Sequence, residues 1–129
     1  VGAGYLGLIL DQIRPKGGAV IMPTEETQTI DWEGTSGKSY RYWIHPIGNQ
    51  FKAEPGNYIF AKEDSPGRWH PVYIGQTSNL DERFDQHHKM DCIRNHGATH
   101  IHAHLNSIET ARLAEERDLI SRFDPECNG

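Results

Sequence analysis

Two cysteines are all that this chain of 129 residues carries, Cys92 and Cys127, and they form neither a CxxC nor a zinc-type spacing. That excludes a disulfide-rich secreted scaffold, and we read both as reduced thiols of a cytosolic protein. Long hydrophobic runs are missing too. The stretch YLGLIL (5–10) falls far short of the roughly 20 apolar residues that span a bilayer, and no basic segment precedes it as in a signal peptide. A cytoplasmic location without membrane contact is therefore expected. Positive charge is also scarce. Thirteen Lys and Arg face eighteen Asp and Glu, a net charge of -5. Broad, non-specific affinity for nucleic acid is thus unexpected, although an enzyme with few, local phosphate contacts is compatible with this balance. Eight histidines would soften the charge if protonated. No internal repeat is present.

What remains is enough for one domain with a modest core: 36% hydrophobic residues and a mean hydropathy of -0.70. Residues 1 to about 38 read as irregular, broken by Pro15, Gly17, Gly18, Pro23, Gly34 and Gly37, with GAVIM (18–22) as a short strand candidate. SYRYWIHPI (39–47) alternates Tyr40, Tyr42 and Ile44 against Arg41, Trp43 and His45, the period of a strand. GNYIFAKE (56–63) and HPVYIG (70–75) read as two more, joined through a longish loop containing Pro66-Gly67. At Gly75 the chain is expected to turn into a helix from about Asn79 to Asp91, with Leu80 and Phe84 inward. ATHIHAHL (98–105) alternates as a strand. Asn106 and Glu109 then form a capping-box pattern opening a helix to about Arg122, with Leu113, Ile120 and Phe123 as its apolar stripe and Pro125 ending it.

Glu116 stands inside that stripe. A carboxylate there needs a partner, either an arginine such as Arg83 or Arg112, or a hard cation such as Mg²⁺, which is often held by one or two carboxylates. Glu115 is expected to face solvent. Arg83 and His87, four apart, share a helix face, and Arg83 has the planar fork that grips phosphate; an ordinary solvated face reads the same way. Tyr58 and Tyr73 lie on adjacent strands, where most tyrosines are packing pairs. His100, His102 and His104 share one side of a strand, a spacing open to Zn²⁺ ligation or to a plain polar sheet face. His96 is a weaker candidate near the phosphate.

Taken in order, GNY (56–58), YIG (73–75), Arg83, Glu116 and Asn128 resemble the GIY-YIG nuclease superfamily, over roughly Gly56 to Gly129. YIGQTSNLDERFDQH is similar to the second strand and first helix of that family, and ETARLAEERDLISRFDPECN to its closing helix. Asn57 stands where the family name has isoleucine, and the loop from Phe60 to His70 is longer than usual. The resemblance implies a metal-dependent endonuclease acting on DNA. Tyr58 and Tyr73 would be the two signature tyrosines, one of them helping to activate the attacking water, Arg83 would steady the scissile phosphate and His87 would assist proton transfer. Glu116 would bind a single Mg²⁺ or Mn²⁺, and Asn128 would brace the site. DNA is the implied partner, bound through few phosphates, and a separate protein or the segment Tyr40 to Lys52 would supply targeting.

The expected fold is an α/β domain: a small, mainly antiparallel three-stranded sheet flanked by helices over residues 51–129, preceded by an extension of loop and strand over 1–50. Two alternatives stay open. One is a catalytically silent binding module of the same architecture, the other a small zinc-binding domain built on the histidine strand.

Overall fold

A computed structural model describes residues 28–81, 84 and 87–129; the strand expected at GAVIM lies outside them. The elements are β1 (Thr29–Glu33), β2 (Ser39–Pro46), β3 (Gly56–Ser65), β4 (Arg68–Thr77), α1 (Met90–Asn95), β5 (His100–Leu105) and α2 (Glu109–Phe123), closed by a 3₁₀ turn at Glu126–Asn128. Among the described residues no helix is long and apolar enough to cross a membrane.

The expectation of a three-stranded sheet flanked by helices is corrected. All five strands form one sheet in the order β1-β2-β5-β3-β4, every pairing is antiparallel, and two α-helices accompany it among the described residues. β1 falls where irregular chain was expected. Its pattern is short but regular: Ile30 and Trp32 point inward while Thr29, Asp31 and Glu33 face water. β2 pairs with β5, Trp43 opposite Ala103 and His45 opposite Ile101, so residues 29–46 bond directly into the sheet of the later segment.

The two core layers follow from strand alternation. On one face Tyr58, Phe60, Val72, Ile101 and Ala103 pack with Leu80 and with Met90 and Ile93 of α1. On the other, Trp32, Tyr42, Ile59 and Ile74 pack with Leu119, Ile120 and Phe123 of α2. The loop between β3 and β4 is shorter than expected. The strands extend to Ser65 and Arg68 around a Pro66-Gly67 turn, where Gly67 takes φ +79°, a conformation that glycine reaches without a Cβ clash.

Gly75 does not end the strand. β4 runs through it to Thr77, with Gly75 opposite Tyr58. A Cβ at Gly75 would stand 2.6 Å from Tyr58 Cζ and 2.7 Å from its Oη. Glycine is therefore required by the ring lying across it.

The helix expected from Asn79 to Asp91 is also corrected. Leu80 and Asp81 lie in a turn, residues 82, 83, 85 and 86 fall outside the description, and α1 begins at Met90. Local bonds account for the delay. Thr77 Oγ1 accepts Asn79 N–H at 3.1 Å and Asn79 Oδ1 accepts Asp81 N–H at 2.8 Å, while Leu80 N–H is drawn to Glu54 O at 2.8 Å. Such side-chain bonds compete with helix formation. Leu80 is nevertheless buried and Phe84 packs on the same core.

Cys92 and Cys127 are not separate thiols but are joined as a disulfide, Cα to Cα 5.8 Å. The expectation of reduced cysteines failed because residues 35 apart in sequence are brought together only when α1 and the C-terminal turn pack on one edge of the core.

Gly75→Ala is expected to destabilise the fold by about 1–3 kcal/mol, since the added methyl must displace a buried ring. A denaturant midpoint unchanged from wild type would show that Tyr58 moves aside freely.

Candidate functional site

The bulge in β4 sets the geometry. Phe60 pairs with Tyr73 but the next β3 residue, Ala61, pairs with Pro71, so Val72 is skipped. This extra residue brings Tyr73 onto the Tyr58 face, the kind of re-aiming that bulges achieve near functional sites. The two tyrosine rings lie 6.2 Å apart between centroids. His87 completes the group: its ring is 4.9 Å from that of Tyr73 and its Nε2 is 2.8 Å from Tyr58 Oη. Lys89 N–H donates to His87 Nδ1 at 3.0 Å. The neutral imidazole therefore carries its proton on Nε2 and donates it to Tyr58.

Glu116 borders this group from α2. Its carboxyl is half-buried, and desolvation raises its pKa against the lowering effect of Arg117. Burial, then the negative charge of Glu116, raise the pKa of Tyr73, opposed by a hydrogen bond from Tyr58. Glu116 is thus within electrostatic reach of the Tyr73 hydroxyl. Asn128 serves the same strand from behind: Ile74 N–H donates to Asn128 Oδ1 at 2.8 Å, and Asn128 Nδ2 donates to Ile74 O at 2.9 Å. This two-way bond fixes β4 between Tyr73 and Gly75. Of the residues expected in a site, Tyr58, Tyr73 and His87 come together, Glu116 is linked to Tyr73 by electrostatic influence alone, and Asn128 acts through the backbone. Arg83 lies outside the described residues.

Neither expected arginine partner is confirmed for Glu116. Arg112 is buried at 4% exposure and spends its donors on Gln76 Oε1 at 2.9 Å and Asn106 O at 3.1 Å. The expectation that Glu115 faces solvent is wrong. It is 4% exposed, accepts a short hydrogen bond from Tyr42 Oη, and has His104 Nε2 at 2.8 Å, off the line of a good hydrogen bond. The inward stripe of α2 is Arg112, Glu115 and Leu119, one residue out of register with Leu113, Ile120 and Phe123. The first half of α2 covers polar groups, among them Asn57, whose Nδ2 donates to Arg112 O at 3.1 Å. Reading only apolar positions could not find that; the charged pair 112/115 in line with Leu119 was the available signal.

Among the described residues the histidine strand does not bring three ligand atoms together. His102 Nδ1 accepts the Trp32 indole N–H at 3.1 Å, and burial, aided by His100 and His45, lowers its pKa to about 3. His102 is thus a neutral core residue. His100 bonds Thr99 Oγ1 at 2.8 Å, and His104 stacks on Tyr42 at 4.5 Å. Among the described residues the grouping with metal-ligand geometry is Cys92, His96 and Cys127, so His96 sits at the disulfide. No family model matches the chain, and no curated protein or solved structure matches it.

Glu115→Ala leaves the buried Tyr42 hydroxyl without its acceptor and removes the carboxylate facing His104, and is expected to lose roughly 2–4 kcal/mol of stability. Glu116→Ala removes a carboxylate whose ionised form burial disfavours, and should change stability by less than about 1 kcal/mol. Equal losses in thermal or denaturant unfolding would contradict the placement of these neighbours.

Proposed function

We propose that this protein is a divalent-metal-dependent endonuclease of the GIY-YIG type that hydrolyses phosphodiester bonds in DNA. The observation that carries the reading is the convergence of Tyr58, Tyr73 and His87, with a half-buried carboxylate, Glu116, within electrostatic reach of Tyr73. That carboxylate makes no hydrogen bond or ion pair among the described residues. It therefore fits a cation: a divalent ion would offset its desolvation, and one protein carboxylate completed by waters and phosphate oxygens is an ordinary Mg²⁺ arrangement. When bound, the ion supplies positive charge for the transition state and lowers the pKa of a coordinated water.

The remaining roles fall to the chain. Tyr73, whose pKa is raised, stays a neutral phenol near pH 7 and orients water or a phosphate oxygen by hydrogen bonding. His87 donates from Nε2 to Tyr58 Oη at 2.8 Å and Tyr58 donates in turn to Tyr73, so the three groups orient the nucleophilic water, whose proton passes to bulk solvent. Arg83 would lay its guanidinium on the scissile phosphate and offset charge there. Asn128 keeps β4 in place so that these groups need not reorganise.

On the same sheet face a groove of about 630 Å³ is lined by Arg41, Trp43, His45, Phe51, Lys52 and Leu105. It joins the site through the Phe51–Phe84 and Phe84–Tyr58 ring contacts at 5.9 and 5.0 Å. Cations with an exposed Trp43, 40% accessible, suit a DNA strand through phosphate contact and base stacking. With net charge -5, binding should be weak and only shallowly salt-dependent.

The expected outcome is nicking of supercoiled plasmid with Mg²⁺ or Mn²⁺, and not with chelator. Glu116→Gln should lower the rate by about 100-fold or more. Glu109→Gln, exposed on the same helix, should match wild type. Cleavage by Glu116→Gln at the wild-type rate would overturn the assignment, and a wild-type protein that never nicks would favour a silent binding module.

A further inference from the structure

The disulfide at the edge of the core has an imidazole aimed at it. Cys92 and His96 are four apart, on the last turns and C-terminal cap of α1, so their side chains share one helix face. Cys127 comes from the C-terminal 3₁₀ turn. His96 Nδ1 lies 3.6 Å from Cys92 Sγ and 3.8 Å from Cys127 Sγ. The three ligand atoms all fall within 4.8 Å of one another.

These distances suit an ion as well as a disulfide. A tetrahedral Zn²⁺ with ordinary Zn–S and Zn–N bonds separates sulfur from nitrogen by about 3.6 Å and sulfur from sulfur by about 3.8 Å. Both S···N edges are already near that value, so only the sulfur pair must part. Cys92 is half-buried and His96 exposed, whereas Cys127 is buried. An ion can therefore enter from solvent while one ligand stays anchored in the core.

We propose that, once the Cys92–Cys127 bond is reduced, Cys92 Sγ, Cys127 Sγ and His96 Nδ1 form a Zn²⁺ site whose fourth position is taken by water. The ligand set is soft enough to prefer zinc over Mg²⁺. It is also distinct from Glu116, so this inference does not rest on the proposed cleavage. Ligation requires the His96 tautomer with its proton on Nε2, and replaces the 3.0 Å contact of Nδ1 with Cys92 O. The bond and the ion exclude one another, because both use the same sulfur electron pairs. Oxidation by a peroxide balances as follows. The two zinc-bound thiolates give up two electrons and become the disulfide, Zn²⁺ is released, and H₂O₂ with two protons takes those electrons to become two waters.

Either state clasps α1 to the C-terminal turn. Asn128, which holds Ile74 by two hydrogen bonds, directly follows Cys127. The clasp therefore keeps the brace of β4 in place under both reducing and oxidising conditions.

The test uses the whole protein reduced by a phosphine, which leaves no competing thiol, and probes it with Zn²⁺ and with Co²⁺ as a spectroscopic substitute. About one Zn²⁺ per chain is expected, together with a thiolate-to-Co²⁺ charge-transfer band and tetrahedral d–d bands. The oxidised protein should bind none. Peroxide added to the zinc form should release the ion to a chromophoric chelator as the thiols disappear. His96→Gln is exposed and keeps the cysteine pair, so it should still form the disulfide yet bind Zn²⁺ at least about tenfold more weakly. Cys92→Ser, at a half-buried position, should lose the charge-transfer intensity of one thiolate. A reduced protein that takes up no zinc would overturn the site. So would a His96→Gln variant with wild-type affinity and an unchanged Co²⁺ spectrum, which would leave Cys92 and Cys127 as a plain disulfide.

Discussion

Tyr58 lies flat across Gly75, and most of the arrangement on that side of the sheet depends on this contact. The ring occupies the space that any side chain at position 75 would need, so the interior strand β3 and the edge strand β4 can hold their register only with glycine there. The bulge at Val72 then turns Tyr73 to the same face. Together they place two phenol groups side by side at the point where His87 arrives from the following segment. A small change in either strand would move all three polar groups at once.

The opposite face controls where Glu116 stands. The first half of α2 buries Arg112 and Glu115 ahead of the apolar contacts of Leu119, Ile120 and Phe123, because the sheet beneath offers Gln76, Asn57, Tyr42 and His104 as partners. Satisfying those groups fixes the rotation of the helix about its own axis. Glu116, one residue further round, is thereby left at the rim with its carboxyl half-buried and near Tyr73. The buried polar network and the proposed cation ligand are therefore two consequences of one helix orientation. Buried groups of this kind gain little net stability from pairing but lose much when one partner is removed, which suits a device that specifies orientation.

Much of this was legible in the residues. Alternation located β2 and β5, and β3 and β4 stood out as short apolar runs bounded by turn residues, although β3 is buried on both faces from Gly56 to Ala61. β1 escaped because its five residues carry only two inward side chains within a polar stretch. The helix expected after Gly75 failed because Thr77 and Asn79 bind nearby backbone groups, a competition that apolar spacing does not register. Glu115 and Glu116 were exchanged because the hydrophobic period of α2 was read as if its neighbour were apolar. The pairing of Cys92 with Cys127 joins parts of the chain that no local pattern connects. The tyrosines, His87 and Asn128 were visible as an ordered set of motifs, whereas the way Asn128 acts, through both backbone groups of Ile74, required the packed strand.

The central claim is that one cation position, held by Glu116, lies at the rim of the sheet within reach of Tyr73. Mn²⁺ titration followed by amide NMR tests it most directly, since the paramagnetic ion broadens signals according to their distance from it. The account predicts early and selective loss of the Tyr73, Gly75 and Glu116 signals, and no such loss in Glu116→Gln. Broadening that is spread over the exposed carboxylates, or that persists in Glu116→Gln, would contradict it.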